Sequence, residues 1–77
     1  MRNYGDEHIR AVFAAWKARQ GLKREEAAQL AHIKPHTLDR RLADPGTMTV
    51  AELRQLISAT HATTEDVVRM ITGRKTT

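Results

Sequence analysis

Apolar residues recur along the chain at helical spacing, and no segment alternates between apolar and polar positions as a strand would. Ile9, Phe13 and Trp16 stand at i, i+4 and i+7, which places them on one face of a helix. We expect this helix to start after Asp6, whose carboxylate can cap free amides, and to stop at a left-handed Gly21. Its stripe holds two of the three aromatic residues and predicts the core. The functional alternative is a platform on which bases stack.

Two short helical patterns follow, separated by a tight break over residues 32–34. The first spans residues 22–31 and has a small apolar face formed by Ala27, Ala28, Leu30 and Ala31. Small residues there let a second helix approach closely and cross it. The second pattern begins at Pro35, where proline suits the first helical turn, and carries Leu38 and Leu42 at i,i+4. One stripe of this helix should therefore be buried while its polar and basic residues point outward.

The last part of the chain predicts two more helices. Residues 44–47 form a dense turn signal, and capping boxes begin at Thr49 and at Thr63, the second with Asp in place of the preferred Glu or Gln. The expected apolar face of the fourth helix is Val50, Leu53, Leu56 and Ile57, and that of the fifth is Val67, Val68, Met70 and Ile71, with Gly73 as its end. We expect one all-α domain of five helices over residues 1–77, with frayed ends at about 1–5 and 74–77.

The sequence AAQLAHIKPHTLDRRL, residues 27–42, resembles the helix-turn-helix of the lambda-repressor-like family, which includes phage Cro proteins and XRE-type regulators. Ala28 matches the alanine midway along that family's first helix, Ile33 the aliphatic residue after its turn, and Leu38 the anchor of its recognition helix. His32 stands where glycine is usual, which predicts a left-handed and slightly strained turn. The likeness extends over about residues 7–73 and implies a five-helix lambda-repressor-like domain that binds double-stranded DNA.

Charge is distributed unevenly between the two parts of the chain. The formal net charge is +4, and residues 1–42 carry nine Lys and Arg against five Asp and Glu, whereas residues 43–77 carry four of each. The whole excess therefore lies in the part that holds the motif, as expected of a surface that faces phosphates. The alternative is an ordinary charge that keeps a small domain soluble.

The resemblance places the residues that read bases on the second helix of the motif and just before it. They are Lys34, Pro35, His36, Thr37, Asp39 and Arg40. Arg40 is the best candidate to bind guanine with two hydrogen bonds, one helical turn from His36. Asp39 could accept from a cytosine amino group, orient Arg40 or disfavour wrong sequences, and we favour the orientation of an arginine. Lys34 is a poor helix cap, so a bound anion would relieve its unfavourable position.

Two further surfaces are predicted. The residues expected to contact phosphates are Lys23, Arg24, Arg41, Thr47 and Thr49. The final helix has more apolar surface than packing on a small core requires, so we expect Val67, Val68, Met70 and Ile71 to form a homodimer interface. The alternative is that this helix only covers the core.

Other chemistries find little support in the sequence. With no Cys, the chain has neither a disulfide nor a thiolate metal site. His32 and His36 are four residues apart, but the predicted turn between them prevents helical metal-ligand geometry, so we expect no metal. Catalytic residue types fall at caps, turns and polar faces, so we expect no enzyme, cofactor or small-molecule substrate. No apolar run suits a membrane span or signal peptide, which predicts a cytoplasmic protein of a bacterium or phage-infected host.

The sequence therefore predicts a transcriptional regulator, most simply a phage-type Cro or repressor protein that binds a short palindromic operator as a homodimer. The first alternative is an antitoxin-like or adaptor protein that uses the same fold mainly to bind another protein. A nonspecific architectural DNA-binding protein is a second alternative, which Asp39 and the modest charge disfavour.

Overall fold

The computed structural model describes residues 4–73 and contains five α-helices in that part of the chain, with no strand. The helices are α1 (Tyr4–Gln20), α2 (Arg24–Leu30), α3 (Pro35–Ala43), α4 (Val50–Thr60) and α5 (Thr64–Thr72), with a 3₁₀ turn at Pro45–Thr47. The predicted all-α class and helix order are confirmed. Within residues 4–73, no helix has the length and apolar character needed to cross a membrane.

The predicted helix ends are largely confirmed. Gly21 has φ +63° and Gly73 has φ +70°, so both glycines close their helices in the left-handed region. Thr49 Oγ1 accepts from the Glu52 amide at 3.0 Å while Glu52 Oε1 accepts from the Thr49 amide at 2.8 Å. Thr63 forms the same reciprocal pair of hydrogen bonds with Asp66 of α5. The second capping box therefore tolerates Asp in its last position.

Three sequence-based expectations about where helices start are wrong. The first helix already includes Tyr4, so Asp6 lies inside its first turn instead of capping it, and residues 4 and 5 are helical where fraying was expected. Helix α2 begins only at Arg24, because the Lys23 amide donates to Glu26 Oε1 at 2.8 Å and residue 23 acts as the cap. The predicted frayed residues 1–3 and 74–77 lie outside the described part of the chain.

Two residues assigned to apolar helix faces are instead exposed. Leu30 is 54% exposed, because the side of α2 that packs inward is set by its alanines and residue 30 lies off that face. Val50 is 65% exposed, because it is the first residue of α4 and precedes the turn at which that helix meets the core. Both positions leave apolar surface in contact with solvent.

The core lies where the aromatic stripe predicted it. Trp16 is 4% exposed and Phe13 8%, and their ring centroids are 5.8 Å apart in a tilted arrangement. Leu38 from α3 and Leu56 from α4 are each 1% exposed, so the two largest fully buried side chains come from other helices. Helix α1 therefore supplies the aromatic centre of the core and packs mainly against α5 and then α4, while α3 packs mainly against α2. The burial of Trp16 rules out the stacking-platform alternative.

A hydrogen bond between α1 and α5 adds to this packing. His8 Nε2 lies 2.8 Å from Asp66 Oδ1, while Oδ2 of the same carboxylate accepts from the Thr63 amide at 3.1 Å. Asp66 thus caps its own helix and binds the first one. The hydrogen bond with His8, followed by the backbone amide of Thr63, holds the pKa of Asp66 below its ordinary value of 3.8.

This carboxylate gives a prediction for acid stability. A lowered pKa means that Asp66 stabilises the fold above its ordinary pKa, and that this contribution is lost as the pH falls below 3.8 through the pKa of the folded state. Asp66→Asn should therefore lower the melting temperature at neutral pH and lose less stability than the wild type on acidification. Thermal melts followed by circular dichroism across the acid range measure this. Glu65→Gln, in the same helical turn, is the control, and an Asp66→Asn acid limb as steep as the wild type's would contradict the prediction.

Candidate nucleic-acid interface

Helices α2 and α3 are joined by a tight turn centred on His32. The His32 backbone has φ +57°, in the left-handed region, as expected where glycine would be usual. Its amide donates to the Gln29 carbonyl at 3.1 Å, and the Ile33 amide donates to the Ala28 carbonyl at 3.1 Å. Ile33 is itself buried, so the residue after the turn anchors it to the core. The left-handed turn predicted from the sequence is confirmed.

The alanines in and directly after α2 explain how closely α3 can pack. Ala27, Ala28 and Ala31 are each 0% exposed, and Leu38 is the buried residue of α3. Leu42, the other leucine of the predicted buried stripe, is half-buried and packs against the core. A helix held along one leucine stripe leaves its opposite side in solvent.

That outer side of α3 carries most of the predicted base-reading residues. Lys34, His36, Asp39 and Arg40 are exposed, whereas Pro35 and Thr37 are half-buried at the edge of the helix. Within residues 4–73, no hydrogen bond or ion pair engages the side chains of Lys34, His36 or Arg40. These three side chains are therefore available to a ligand in front of α3.

The first turn of α3 is uncapped by any side chain. Lys34 occupies the capping position, and its ammonium cannot accept a hydrogen bond from the free amides of the helix. A positive charge at this end also opposes the helix dipole. The helix start thus offers amides and a cation on the same exposed surface, the arrangement that suits an anion.

Asp39 binds an arginine, although a different one from that expected. Its Oδ2 lies 3.2 Å from Nε of Arg24, at the start of α2, and both side chains are about half exposed. The sequence favoured an arginine partner and pointed to Arg40, the next residue on the same helix. The pair with Arg24 could not be read from spacing along one helix, because it depends on how α2 crosses α3.

The second group of predicted phosphate contacts forms a hydrogen-bonded cluster at the end of α3 and in the segment that follows it. Arg41 Nε donates to Glu52 Oε1 at 3.0 Å, and its Nη1 approaches Thr47 Oγ1 at 3.5 Å. Thr49 accepts from the Glu52 amide, as described for the α4 cap. The fold thus brings Arg41, Thr47 and Thr49 together around Glu52, whereas Lys23 caps α2 and Arg24 pairs with Asp39.

Glu52 is the centre of this cluster and was absent from the predicted site. The Thr49 amide lowers the pKa of the Glu52 carboxyl most, and Arg41 lowers it further against the opposing effect of burial. The carboxylate therefore stays ionised and fixes Arg41 between α3 and α4. Arg41 has a structural partner in the free protein, so a phosphate would share its guanidinium with Glu52.

Arg10 is a second contributor that the sequence did not reveal. From α1, its Nε donates to the Leu42 carbonyl at 2.8 Å and its Nη2 to the Ala43 carbonyl at 3.2 Å. These carbonyls belong to the last turn of α3, where the helix itself provides no donor. Arg10 thus fixes the C-terminal end of the exposed helix, over a sequence separation of 32 residues that gives no local signal.

The residues predicted to form a homodimer interface differ in exposure. Met70 is 6% exposed and belongs to the core, Val67 is half-buried, and Val68 is 36% exposed. Ile71 is 67% exposed and lines an apolar cleft with Met48, Val50 and Leu53 from the neighbouring segments. The apolar surface in solvent therefore combines the end of α5 with the start of α4, a region wider than the sequence suggested.

Comparisons of the chain with known protein families, with curated proteins and with solved structures gave no match.

Proposed function

We propose that this protein is a sequence-specific regulator of transcription that inserts α3 into the major groove of a short operator. The observation that carries this proposal is the outer face of α3, where Lys34, His36 and Arg40 are exposed and engaged by no other residue of the described chain. Side chains of these types reach base edges, and a helix fits the width of the major groove. Arg40 binds guanine in this arrangement, and His36 addresses a neighbouring base pair.

The contacts that hold α3 in the fold support the same proposal. Leu38 fixes the helix along its inner side, Arg10 binds its last carbonyls, and the Arg41–Glu52 pair joins it to α4. A helix held at its middle and its end loses little conformational freedom when it binds, so its exposed side chains are presented in a fixed register. This rigidity favours reading a particular sequence over a purely electrostatic contact.

Charged and polar groups on either side of α3 would bind the DNA backbone. Lys23 caps α2 and Arg24 begins it, Arg41 lies in the last turn of α3, and Thr47 and Thr49 follow α3 in the chain. The uncapped amides at the start of α3 are a third candidate for a phosphate. Contacts on both sides of the inserted helix would set its orientation without reading sequence.

The experiment that tests the proposal is selection of bound duplexes from a random pool with the purified protein. A regulator enriches a defined sequence, and a dimeric one enriches a palindrome whose half-sites are centred about one DNA turn, ~34 Å, apart. The absence of any enriched sequence would reject the proposal. Retention of all duplexes at low salt, without enrichment, would instead indicate an architectural DNA-binding protein.

We further propose that two copies of the chain associate through the apolar surface formed by Val68, Ile71 and Val50. Val50 and Ile71 are each about two-thirds exposed and line one cleft, which is unusual for large aliphatic residues in a small domain. A second copy offers an identical apolar surface, so a twofold contact covers both at once. It also doubles the length of DNA that the protein can read.

Ile71→Glu should test this interface. The side chain is 67% exposed, so the substitution leaves the monomer folded but places a charge in the contact between copies. Sedimentation of the free protein and of its complex with the selected duplex should show loss of the two-to-one complex. Gln55→Glu, which adds the same charge at an exposed position on a different side of α4 from Val50, is the control. A wild-type protein that occupies its full site as one monomer would contradict the prediction.

The same apolar surface favours a second candidate function. An antitoxin-like or adaptor protein would use the cleft beside Ile71 to bind another protein, with DNA binding secondary or absent. The selection experiment separates the two functions, because an adaptor enriches no duplex. The adaptor function would be supported if the selection enriched no duplex and if a protein that binds the wild-type chain failed to bind the Ile71→Glu variant.

A further inference from the structure

An ion pair joins the two helices of the motif on the surface that carries the exposed side chains of α3. Arg24 is the first residue of α2, and its Nε lies 3.2 Å from Oδ2 of Asp39. The two side chains are 52% and 44% exposed. Asp39 is the one acidic residue of α3, and its neighbours on that surface include Arg40. The pair therefore lies on the exposed surface of α2 and α3, where a ligand that binds α3 would contact it.

The stability of the fold does not explain why this ion pair is present. An ion pair this exposed is screened by water and salt, and it contributes little to folding. A carboxylate on a surface that approaches phosphates also opposes binding through like charge. The ion pair is therefore better explained by an effect on which ligands this surface binds than by an effect on folding.

The pair neutralises a charge that the backbone of DNA would otherwise attract. While Nε of Arg24 faces Asp39, the guanidinium and the carboxylate together present almost no net charge to a phosphate. Moving the guanidinium to a phosphate leaves Asp39 unpaired in the negative potential of the duplex, which is unfavourable. A phosphate that binds Arg24 therefore takes the place of Asp39, and it leaves the Asp39 carboxylate without a partner.

A base can remove this obstacle. The amino group of cytosine points into the major groove and is a hydrogen-bond donor that a carboxylate accepts. Where such an amino group stands opposite Asp39, the carboxylate gains a new partner and Arg24 can turn to the backbone. Where the base pair offers no suitable donor, the ion pair stays closed.

We propose that Asp39 is a specificity-determining residue that withholds Arg24 from the phosphates of non-operator DNA and releases it when a cytosine amino group binds the carboxylate. This inference rests on the proposed function, since it assigns a role within the same interface. It explains an acidic residue on the exposed face of α3 as a means of lowering affinity for wrong sequences. One base contact and one phosphate contact are thereby coupled.

The test compares Asp39→Asn with the wild type on two duplexes, one of random sequence and one enriched by selection. Asparagine keeps the size of the side chain and removes its charge, so Arg24 becomes available to any phosphate. Fluorescence anisotropy over a range of salt concentrations should show random DNA bound ~8-fold more tightly at ~0.1 M salt, with a slope of log K against log salt steeper by ~0.9, as one added phosphate contact requires. Affinity for the selected duplex should not rise in parallel, so discrimination should fall.

Two matched variants make the effect specific to the pair. Glu25→Gln changes the net charge by the same amount on the exposed surface of α2, and it should leave the salt slope unchanged. In an Arg24→Ala background, Asp39→Asn should no longer steepen the slope, because the charge to be released is gone. Repeating the selection with Asp39→Asn should show the preference lost or altered at one base pair of each half-site.

The outcomes are distinct. An Asp39→Asn protein with the wild-type salt slope and the wild-type affinity for random DNA overturns the inference and leaves the proposed function intact. A steeper slope that persists in the Arg24→Ala background also overturns it, because the effect then arises from general charge. A wild-type protein that enriches no duplex and binds random DNA at no salt concentration rejects the proposed function and, with it, this inference.

Discussion

Trp16→Ala should unfold most of the protein near physiological temperature. Trp16 is 4% exposed, and its ring centroid lies 5.8 Å from that of Phe13 in the centre of the core. Truncation of a buried aromatic residue typically costs about 3–5 kcal/mol through lost burial and the cavity it leaves. A small domain has a total stability of only about 5–15 kcal/mol, and a chain of this size lies near the lower end. Thermal and urea denaturation followed by circular dichroism measures the loss.

Leu30→Ala is the matched control for that substitution. It also removes a large apolar side chain, but Leu30 is 54% exposed on α2. Its effect should stay within about 0.5 kcal/mol, as is usual for surface positions. A Trp16→Ala protein that melts cooperatively at almost the wild-type temperature would contradict the packing described for α1.

Local sequence signals predicted the helices well because each has a nearby physical cause. Thr49 and Thr63 cap helices whose first turns contain the matching acceptor, and Gly21 closes α1 through a backbone conformation that its missing side chain permits. The left-handed His32 was expected from the resemblance instead, because glycine usually occupies that position of the turn. The local signals act within a few residues.

The contacts that hold α3 in place could not be predicted in the same way. Arg10 binds the end of α3 from 32 residues away, and His8 binds Asp66 from 58 residues away. These pairs depend on which helices meet and at what angle, which spacing along one helix does not determine. The exposure of Val50 has the same origin, because a helical stripe shows which residues share a face but not where along its length a helix enters the core.

The candidate interface was predicted residue by residue, but the interactions among its residues were not. Arg24 and Arg41 both appear in the sequence as free cations suited to phosphates. In the fold, Asp39 and Glu52 engage them, at 3.2 and 3.0 Å respectively. The uncommitted positive charge on the outer surface is consequently smaller than the sequence count suggests, which gives the remaining basic side chains of α3 more weight.

We expect recognition of the DNA sequence to depend more strongly on Arg40 than on any other residue. It is exposed on the outer face of α3, no other side chain of the described chain engages it, and its guanidinium can donate two hydrogen bonds to guanine. We expect Arg40→Ala to lose preference at one base pair in each half-site and to weaken operator binding by about 1–3 kcal/mol, since no neighbouring side chain supplies the same bidentate contact. Binding selection with the variant, together with anisotropy on the selected duplex, measures both effects.

Controls for Arg40→Ala distinguish base reading from charge. Lys23→Ala removes a cation at the start of α2 and should weaken binding to all sequences alike while flattening the salt dependence, as loss of a phosphate contact does. Arg19→Ala removes an exposed cation of α1 that borders the α4–α5 turn instead of α3, and it should have little effect. If Arg40→Ala kept the wild-type site preference and only flattened the salt dependence, Arg40 would contact a phosphate, and base reading would fall to His36 and Lys34 at the other end of the helix.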